Sequence, residues 1–276
     1  GLRLEDNLIE RQASAGFGPQ TENGFTGLSA SAGHLHKWGR LSAGVTASYT
    51  ERAPTFQELY SNGAHIATGT FEQGDATLVK EKARAVELTL RHDSERLQTR
   101  VNAFAQDFQN YVALTPTGAV DADSGFGVFD YQQVDARFYG MDAELTHSLV
   151  PGEWIVSSKA DWVRAKNLEN GQNLPRLSPA RLSAGVEWHK GPWLVDVDLQ
   201  HVFEQQHTAE NETRTRQFDM LDAGVVRSFL WNDSKLSAFV RVKNIFDEEA
   251  RNHVSFVKDI APLPGRNVVV GVNAVW

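Results

Sequence analysis

The chain has 276 residues, no cysteine and a formal net charge of −8. That length allows one large or two ordinary domains, the missing thiols exclude disulfides and thiolate metal sites, and the acidic balance argues against a nucleic-acid binder held by phosphate contacts. Mean hydropathy is −0.38 and no run of about 18 apolar residues occurs, so neither a transmembrane helix nor a signal peptide is expected, whereas a membrane β-barrel needs only every second residue apolar.

In chain order, the opening "GLRLE" already reads as a strand and lacks a start methionine, so the chain is expected to be a piece of a longer one. "RLSAGVTASYT" places Leu41, Ala43, Val45, Ala47 and Tyr49 on one face and Ser42, Thr46, Ser48 and Thr50 on the other. "RLSAGVEWH" sets Leu182, Ala184, Val186 and Trp188 against Arg181, Ser183, Gly185, Glu187 and His189. "WLVDVDLQHVF" sets Trp193, Val195, Val197, Leu199, His201 and Phe203 against Asp196, Asp198 and Gln200. "KLSAFVRVKN" sets Leu236, Ala238, Val240 and Val242 against Arg241 and Lys243, and the final strand aligns Val268, Val270, Val272, Ala274 and Trp276. About twelve segments carry this period of two, and none shows the spacing of a helix.

The connections alternate in length. "HLHKWGR", "HDSE", "VPGEW", "HKGPW" and "LWNDSK" are short and turn-like. Long polar stretches near 11–24, 51–80, 113–129, 166–179, 204–217 and 246–263 lie between them. Short periplasmic turns alternating with long extracellular loops are the pattern of an outer-membrane barrel; a soluble Greek-key or barrel protein is the other reading. Trp38, Trp154, Trp188, Trp193, Trp231 and Trp276 sit beside short turns or at the terminus, and only Trp162 lies at the far end of its strand. Indole favours the membrane–water interface, so a girdle at the short-turn end is expected. The fold expectation is all-β: a transmembrane antiparallel up-and-down barrel portion over residues 1–276, with no second domain.

Residues 50–82 contain "RAPTFQELY" (Arg52–Tyr60) and "GDATLVKE" (Gly74–Glu81). "FYGMDAEL", "LPRLSPARLSAGVEW" and "VKNIFDEEARNHVSF" followed by "PGRNVVVGV" come later, in that order. Together these resemble the TonB-dependent outer-membrane receptors. The resemblance implies a barrel of about 22 strands closed by a plug, of which this chain would be the last twelve strands, with the plug and the TonB-contacting segment absent. It implies ligand import with energy from TonB, at the outer-membrane lipid boundary, and no enzymatic activity. Within the family, "ELYSNGAHIATGTFE" is most similar to receptors linked to zinc uptake.

Histidine is the natural zinc ligand where cysteine is missing. Of nine histidines, His34, His36, His92, His147 and His189 fall near periplasmic turns, and His201 points to lipid by parity. His65, Glu72, His207 and His253 lie in or beside outer loops and are the candidate metal ligands. No local H-x-x-x-H pair exists, so several loops would have to converge. His207 and His253 also read as solvated loop residues, and Glu210 and Glu212 as plain surface charge. Asp142, Glu144, Asp161, Glu187, Asp196, Asp198, Arg100, Arg181, Arg241 and Lys243 share the lumen parity and would solvate a wet interior. No bound cofactor is expected; the carried ligand would be zinc, with heme or another metal chelate as the alternative. A self-closed twelve-strand pore or enzyme is the remaining alternative, and single-channel conductance would reveal a pore. No G-x-S-x-G, HExxH or P-loop pattern supports an enzyme.

Overall fold

A computed structural model describes residues 1–12, 20–231 and 234–275. The strands are β1 (Leu2–Arg11), β2 (Thr21–Trp38), β3 (Leu41–Arg52), β4 (Asn62–His65), β5 (Thr70–Gln73), β6 (Glu81–Asp93), β7 (Leu97–Val120), β8 (Gly127–Val150), β9 (Trp154–Asn167), β10 (Arg181–Lys190), β11 (Trp193–Val202), β12 (Phe218–Trp231), β13 (Ser234–Lys243) and β14 (Asn267–Val275). Twelve of them follow one path of sequential neighbours, β1-β2-β3-β6 and onward to β14, while β4 and β5 lie off it. Every neighbouring pair on the path is antiparallel. The wall is therefore the expected up-and-down sheet. Among the described residues β1 and β14 do not pair, so the path is open and the self-closed alternative is not what the pairing presents.

The register proves the two faces. Val45 stands opposite Leu88, Leu88 opposite Ala103, Ala103 opposite Met141, and Met141 opposite Trp162. Trp154, Trp188, Val195, Val225, Val240 and Val270 form a second continuous row. These side chains are exposed or half-buried, Leu88 exposed by 54 % and Val270 by 70 %, so the apolar face is not gathered into a dry interior. An exposed apolar belt of this extent is the surface a barrel shows to lipid. The other face carries Arg181 beside Asp161 (3.0 Å), Lys159 near Glu144 (3.8 Å) and Asn102 donating to Asp142 (2.9 Å). Trp38, Trp154, Trp193 and Trp231 stand exposed beside short turns, and the Trp154 and Trp188 rings lie 6.2 Å apart. Trp276, Asn232 and Asp233 lie outside the described residues. Gly39 and Gly152 take positive φ (60° and 78°) in two of the tight turns, a conformation that disfavours a Cβ.

Two expectations change. The stretch 113–129 is not a long loop: β7 and β8 each run 24 residues, about twice the 9–11 that cross a bilayer. A bulge near Asn110, at φ 58°, interrupts the register between Phe108 and Tyr111, and the ladder then continues outward. The bulge and the tip's polar composition hide the alternation. A helix also exists: α1 (Phe56–Tyr60), five residues long and too short to show a period. Most of the buried apolar residues fall in three small clusters. One joins Leu59, Tyr60, Leu78 and Val112; one Ala136, Ala165 and Leu174; one Val202, Phe218 and Ala250. All lie at the long-loop end. The loops there are packed structures, not solvated tethers.

Candidate functional site

The 53–80 connection is held by its first residue. The Arg52 guanidinium forks onto Glu58 (2.9 and 3.1 Å) and reaches Glu81 (3.2 Å), which ties α1 to the start of β6. Thr55 caps α1: its Oγ1 accepts from Glu58 N (3.3 Å), and Glu58 Oε2 accepts from Thr55 N (2.6 Å). The returning chain then crosses the helix end. Gly74 N donates to Ser61 O (2.7 Å) and Asp75 N to Glu58 O (2.9 Å). A Cβ on Gly74 would meet Tyr60 N at 2.6 Å and Leu59 C at 2.7 Å, so only glycine fits.

This frame presents the β4–β5 hairpin. His65 ends β4, with its side chain 58 % exposed. Its Nδ1 lies 2.8 Å from Thr68 Oγ1 and 3.3 Å from Glu72 Oε1. Glu72 is buried and fully engaged: Oε1 accepts from Thr70 Oγ1 (3.0 Å) and Oε2 from the Tyr131 hydroxyl (3.0 Å). The parallel pairing of β5 with β8 brings Tyr131 close, since Glu72 stands opposite Phe129. The Thr68 hydroxyl bonds Nδ1, the Glu72 carboxylate lies within ion-pair range of it without a hydrogen bond, and no residue among those described bonds Nε2. A carboxylate behind one imidazole nitrogen is the usual support of a metal-binding histidine.

The other two candidates sit elsewhere. His207 is exposed in the β11–β12 loop; desolvation of its ring and the positive charges of Arg164 and Lys166 hold its pKa below the ordinary value. Those same charges oppose a metal cation at that ring. His253 is not a solvated loop residue: it is 1 % exposed. Its Nδ1 meets Thr215 Oγ1 (3.0 Å), and its Nε2 lies 3.2 Å from Glu212 Oε1, within ion-pair range but off the line of a hydrogen bond. Among the described residues, no three His, Asp or Glu side chains gather as a metal cage. His65 and Glu72 are brought together, and His207 and His253 do not complete a set with them.

Glu212, expected to be plain surface charge, is a buried hub. It accepts from Arg176 N (2.7 Å) and Ala209 N (3.0 Å), and lies 3.6 Å from Lys258 Nζ. Burial would raise its pKa; the His253 imidazole and the two backbone N–H groups outweigh burial and hold it below the ordinary carboxylate value. Burial pushes Lys258 down, against the pull of Glu212 and Asp259. Arg176, at φ 55°, stacks on the Phe256 ring (4.1 Å) and donates to Leu114 O (3.3 Å). Phe256 in turn meets Phe129 edge-on at 5.8 Å. The loops after β9, β11 and β13 are thus locked to one another and to the outer β7–β8 extension. In sequence, Glu212 and Lys258 sit in unremarkable polar runs, while Arg176, His253 and Phe256 lie within quoted motifs.

A family model described as "TonB dependent receptor-like, beta-barrel" matches residues 1–245. Among solved structures, the copper transporter OprC superposes with a TM-score of 0.84 at 18% identity, covering 98% of this chain and 44% of that one. A mutant of the ferric enterobactin receptor PfeA from Pseudomonas aeruginosa gives 0.67 at 17% identity, covering 100% and 43%. The ferric-catecholate import receptor Fiu from E. coli K12, in a closed form, gives 0.67 at 14% identity, covering 99% and 42%. The chain therefore spans under half the length of each of these structures.

Proposed function

Because the chain belongs to the TonB-dependent receptor β-barrel family, we propose that it supplies part of the wall and most of one loop face of an outer-membrane receptor that captures a scarce transition metal, zinc foremost. Capture uses binding, not catalysis. Outer loops take the ligand, and the plug and TonB, contributed outside this chain, release it inward. The observation that carries the zinc reading is the His65 imidazole, exposed at a hairpin turn with its Nδ1 bonded by Thr68, the Glu72 carboxylate 3.3 Å away and its Nε2 open. In this reading His65 Nε2 is the ligand and Glu72 positions it, a change from Glu72 as a direct ligand. The remaining ligands come from the rest of the receptor or from a chelator.

Among the donors of this chain, imidazole nitrogen and carboxylate oxygen suit zinc. The chain has no cysteine and two methionines; Met141 lies on the apolar outer face, and Met220, on the lumen side, packs against Val202, Phe218 and Ala250 at the long-loop end. A heme or ferric-chelate cargo is the competing reading, given the ferric receptors among the similar folds.

The test uses the complete receptor. Zinc, copper, heme and a ferric catecholate are titrated calorimetrically against the parent, His65→Ala and Glu72→Gln. Loss of zinc binding in His65→Ala, with weaker binding in Glu72→Gln, supports the reading. Unchanged zinc affinity in His65→Ala removes that residue from the site, and heme or ferric binding without zinc binding overturns the cargo. Growth of the same variants in chelated medium separates zinc uptake from heme uptake.

A further inference from the structure

The β4–β5 hairpin places two hydroxyl side chains between His65 and Glu72. They are Thr68 and Thr70, in the stretch "HIATGTFE". Thr70 and Glu72 share one face of β5 by the period of a strand, and the pairing sets His65 directly opposite Thr70. Thr68 lies in the turn between the strands. Gly69, at φ 65°, lets that turn close, and the His65 carbonyl accepts from Thr68 N (3.2 Å) and Gly69 N (2.9 Å). Four polar side chains of one short segment therefore stand in a line. His65 Nδ1 is 2.8 Å from Thr68 Oγ1, Thr68 Oγ1 is 2.7 Å from Thr70 Oγ1, and Thr70 Oγ1 is 3.0 Å from Glu72 Oε1. The Tyr131 hydroxyl closes the far end by donating to Glu72 Oε2 (3.0 Å).

A threonine hydroxyl has one hydrogen to give and two lone pairs to receive with. That count fixes the direction of the line. Glu72 accepts at both oxygens, so Thr70 gives its hydrogen to Oε1. Thr70 Oγ1 then offers only lone pairs to Thr68, and Thr68 donates across the 2.7 Å contact. The His65 carbonyl, 3.1 Å from Thr68 Oγ1, is the other acceptor within reach, but its lone pairs already take the two turn N–H groups. Whichever of the two receives the Thr68 hydrogen, none is left for the ring. Nδ1 must therefore donate to Thr68, which puts the imidazole hydrogen on Nδ1 and the lone pair on Nε2. Thr70 is 2 % exposed and Glu72 9 %, so the inner links are shielded from water.

We infer that Thr68 and Thr70 are positioning residues for the metal ligand. They relay the acceptor character of Glu72 to His65 and hold its ring as the Nδ1–H tautomer, with Nε2 free to take a divalent, borderline-soft cation. The inference rests on the capture reading above and extends it from the carboxylate to the hydroxyls. Glu72 does not hydrogen-bond the ring itself, since its Oε1 lies 3.3 Å from Nδ1. The two threonines supply the missing link. Tyr131, brought in by the pairing of β5 with β8, keeps the carboxylate from turning away. Neither hydroxyl is itself a ligand.

The tautomer is read before any metal is added. The complete receptor, isotope-labelled at the histidine ring nitrogens, is studied metal-free by nitrogen NMR at about pH 8, above the ordinary imidazole range. The His65 signals are those that His65→Ala removes. The parent should carry its hydrogen on Nδ1. Thr70→Val keeps the shape and deletes the hydroxyl, which frees the Thr68 hydrogen for the ring. It should mix the two tautomers and weaken zinc about tenfold, the low end for a group that supports a ligand. Thr68→Val should also lose the fixed tautomer, and Thr70→Ser, which restores the hydroxyl, should return both readings to those of the parent. Glu72→Gln should invert the line: its carbonyl meets the Tyr131 hydroxyl, its amide N–H faces Thr70, and the ring hydrogen moves to Nε2. A parent with its hydrogen on Nε2 overturns the inference, as do valine variants that keep the parent's tautomer and zinc affinity. A parent that shows Nδ1–H and responds to the threonines but binds no zinc upholds the relay and removes the cargo reading. Zinc bound through His65 with a tautomer indifferent to the threonines does the reverse.

Discussion

Replacing Glu212 by glutamine should loosen three outer loops at once and leave the barrel wall intact. The substitution keeps the shape of the side chain and removes its charge. Lys258 and Glu212 are each 7 % exposed at the side chain, so little solvent screens the pair. Breaking a buried pair by removing one partner costs about 3–5 kcal/mol. Glutamine retains one carbonyl acceptor for Arg176 N or Ala209 N, which puts the expected loss near the lower end, about 3 kcal/mol. Lys258 keeps its bond to Thr213 O (2.8 Å) and the pull of Asp259, but loses the stronger of the two carboxylates that offset its burial. The cluster lies off the sheet, so the cost falls on local opening rather than global unfolding. Amide hydrogen exchange in residues 168–180, 203–217 and 244–266 should speed up about 100-fold, from the conversion of about 1.4 kcal/mol per tenfold, while the β10–β11 hairpin stays protected. Adding Lys258→Met removes the stranded cation and should recover about 1 kcal/mol or more. Unchanged exchange in the three loops would refute the idea that Glu212 holds them together; equal acceleration in β10 and β11 would refute its local character.

The same hub should respond to acid. The folded pKa of Glu212 lies below its ordinary value, so its stabilisation is complete above the ordinary carboxylate range and is lost as pH falls through the depressed folded value. Loop protection measured from pH 7 downward should hold until that acid window and then fall, and the Glu212→Gln variant should show no such step. Gly74→Ala should drive backbone against backbone at the end of α1; overpacking of this kind costs about 1–3 kcal/mol, readable as increased exchange in residues 53–80. Arg52→Lys keeps the charge but cannot fork onto Glu58 and Glu81. It should loosen α1 by a smaller amount, because the guanidinium is partly exposed and the pair is screened.

Parity made the wall legible. Each strand repeats one binary choice, lipid or water, at every second position, and twelve repetitions leave little room for another register. Leu182, Ala184, Val186 and Trp188 could be assigned to one face from their spacing alone, and the pairing of β10 with β9 and β11 puts them there. Gly74 was visible as part of a motif, yet its reason is a close approach of backbone to the end of α1, which spacing does not encode. The loop platform was illegible for a stronger reason. Glu212, His253 and Lys258 lie up to 46 residues apart, as the Thr213 to Asp259 bond of the same region shows, and nothing local to any of them signals the others. A carboxylate in "TAENETRT" looks solvated because its neighbours in sequence are polar. Its neighbours in space are a buried imidazole, a buried amine and two backbone N–H groups supplied by three loops. The same reasoning covers a row of cations on the outer face: Arg84, Arg137 and Lys166 come from β6, β8 and β9, and only the register makes them neighbours. In a barrel of this kind, strand chemistry is written along the chain and cluster chemistry across it, so side chains that meet across strands and loops emerge only once the strands are laid side by side.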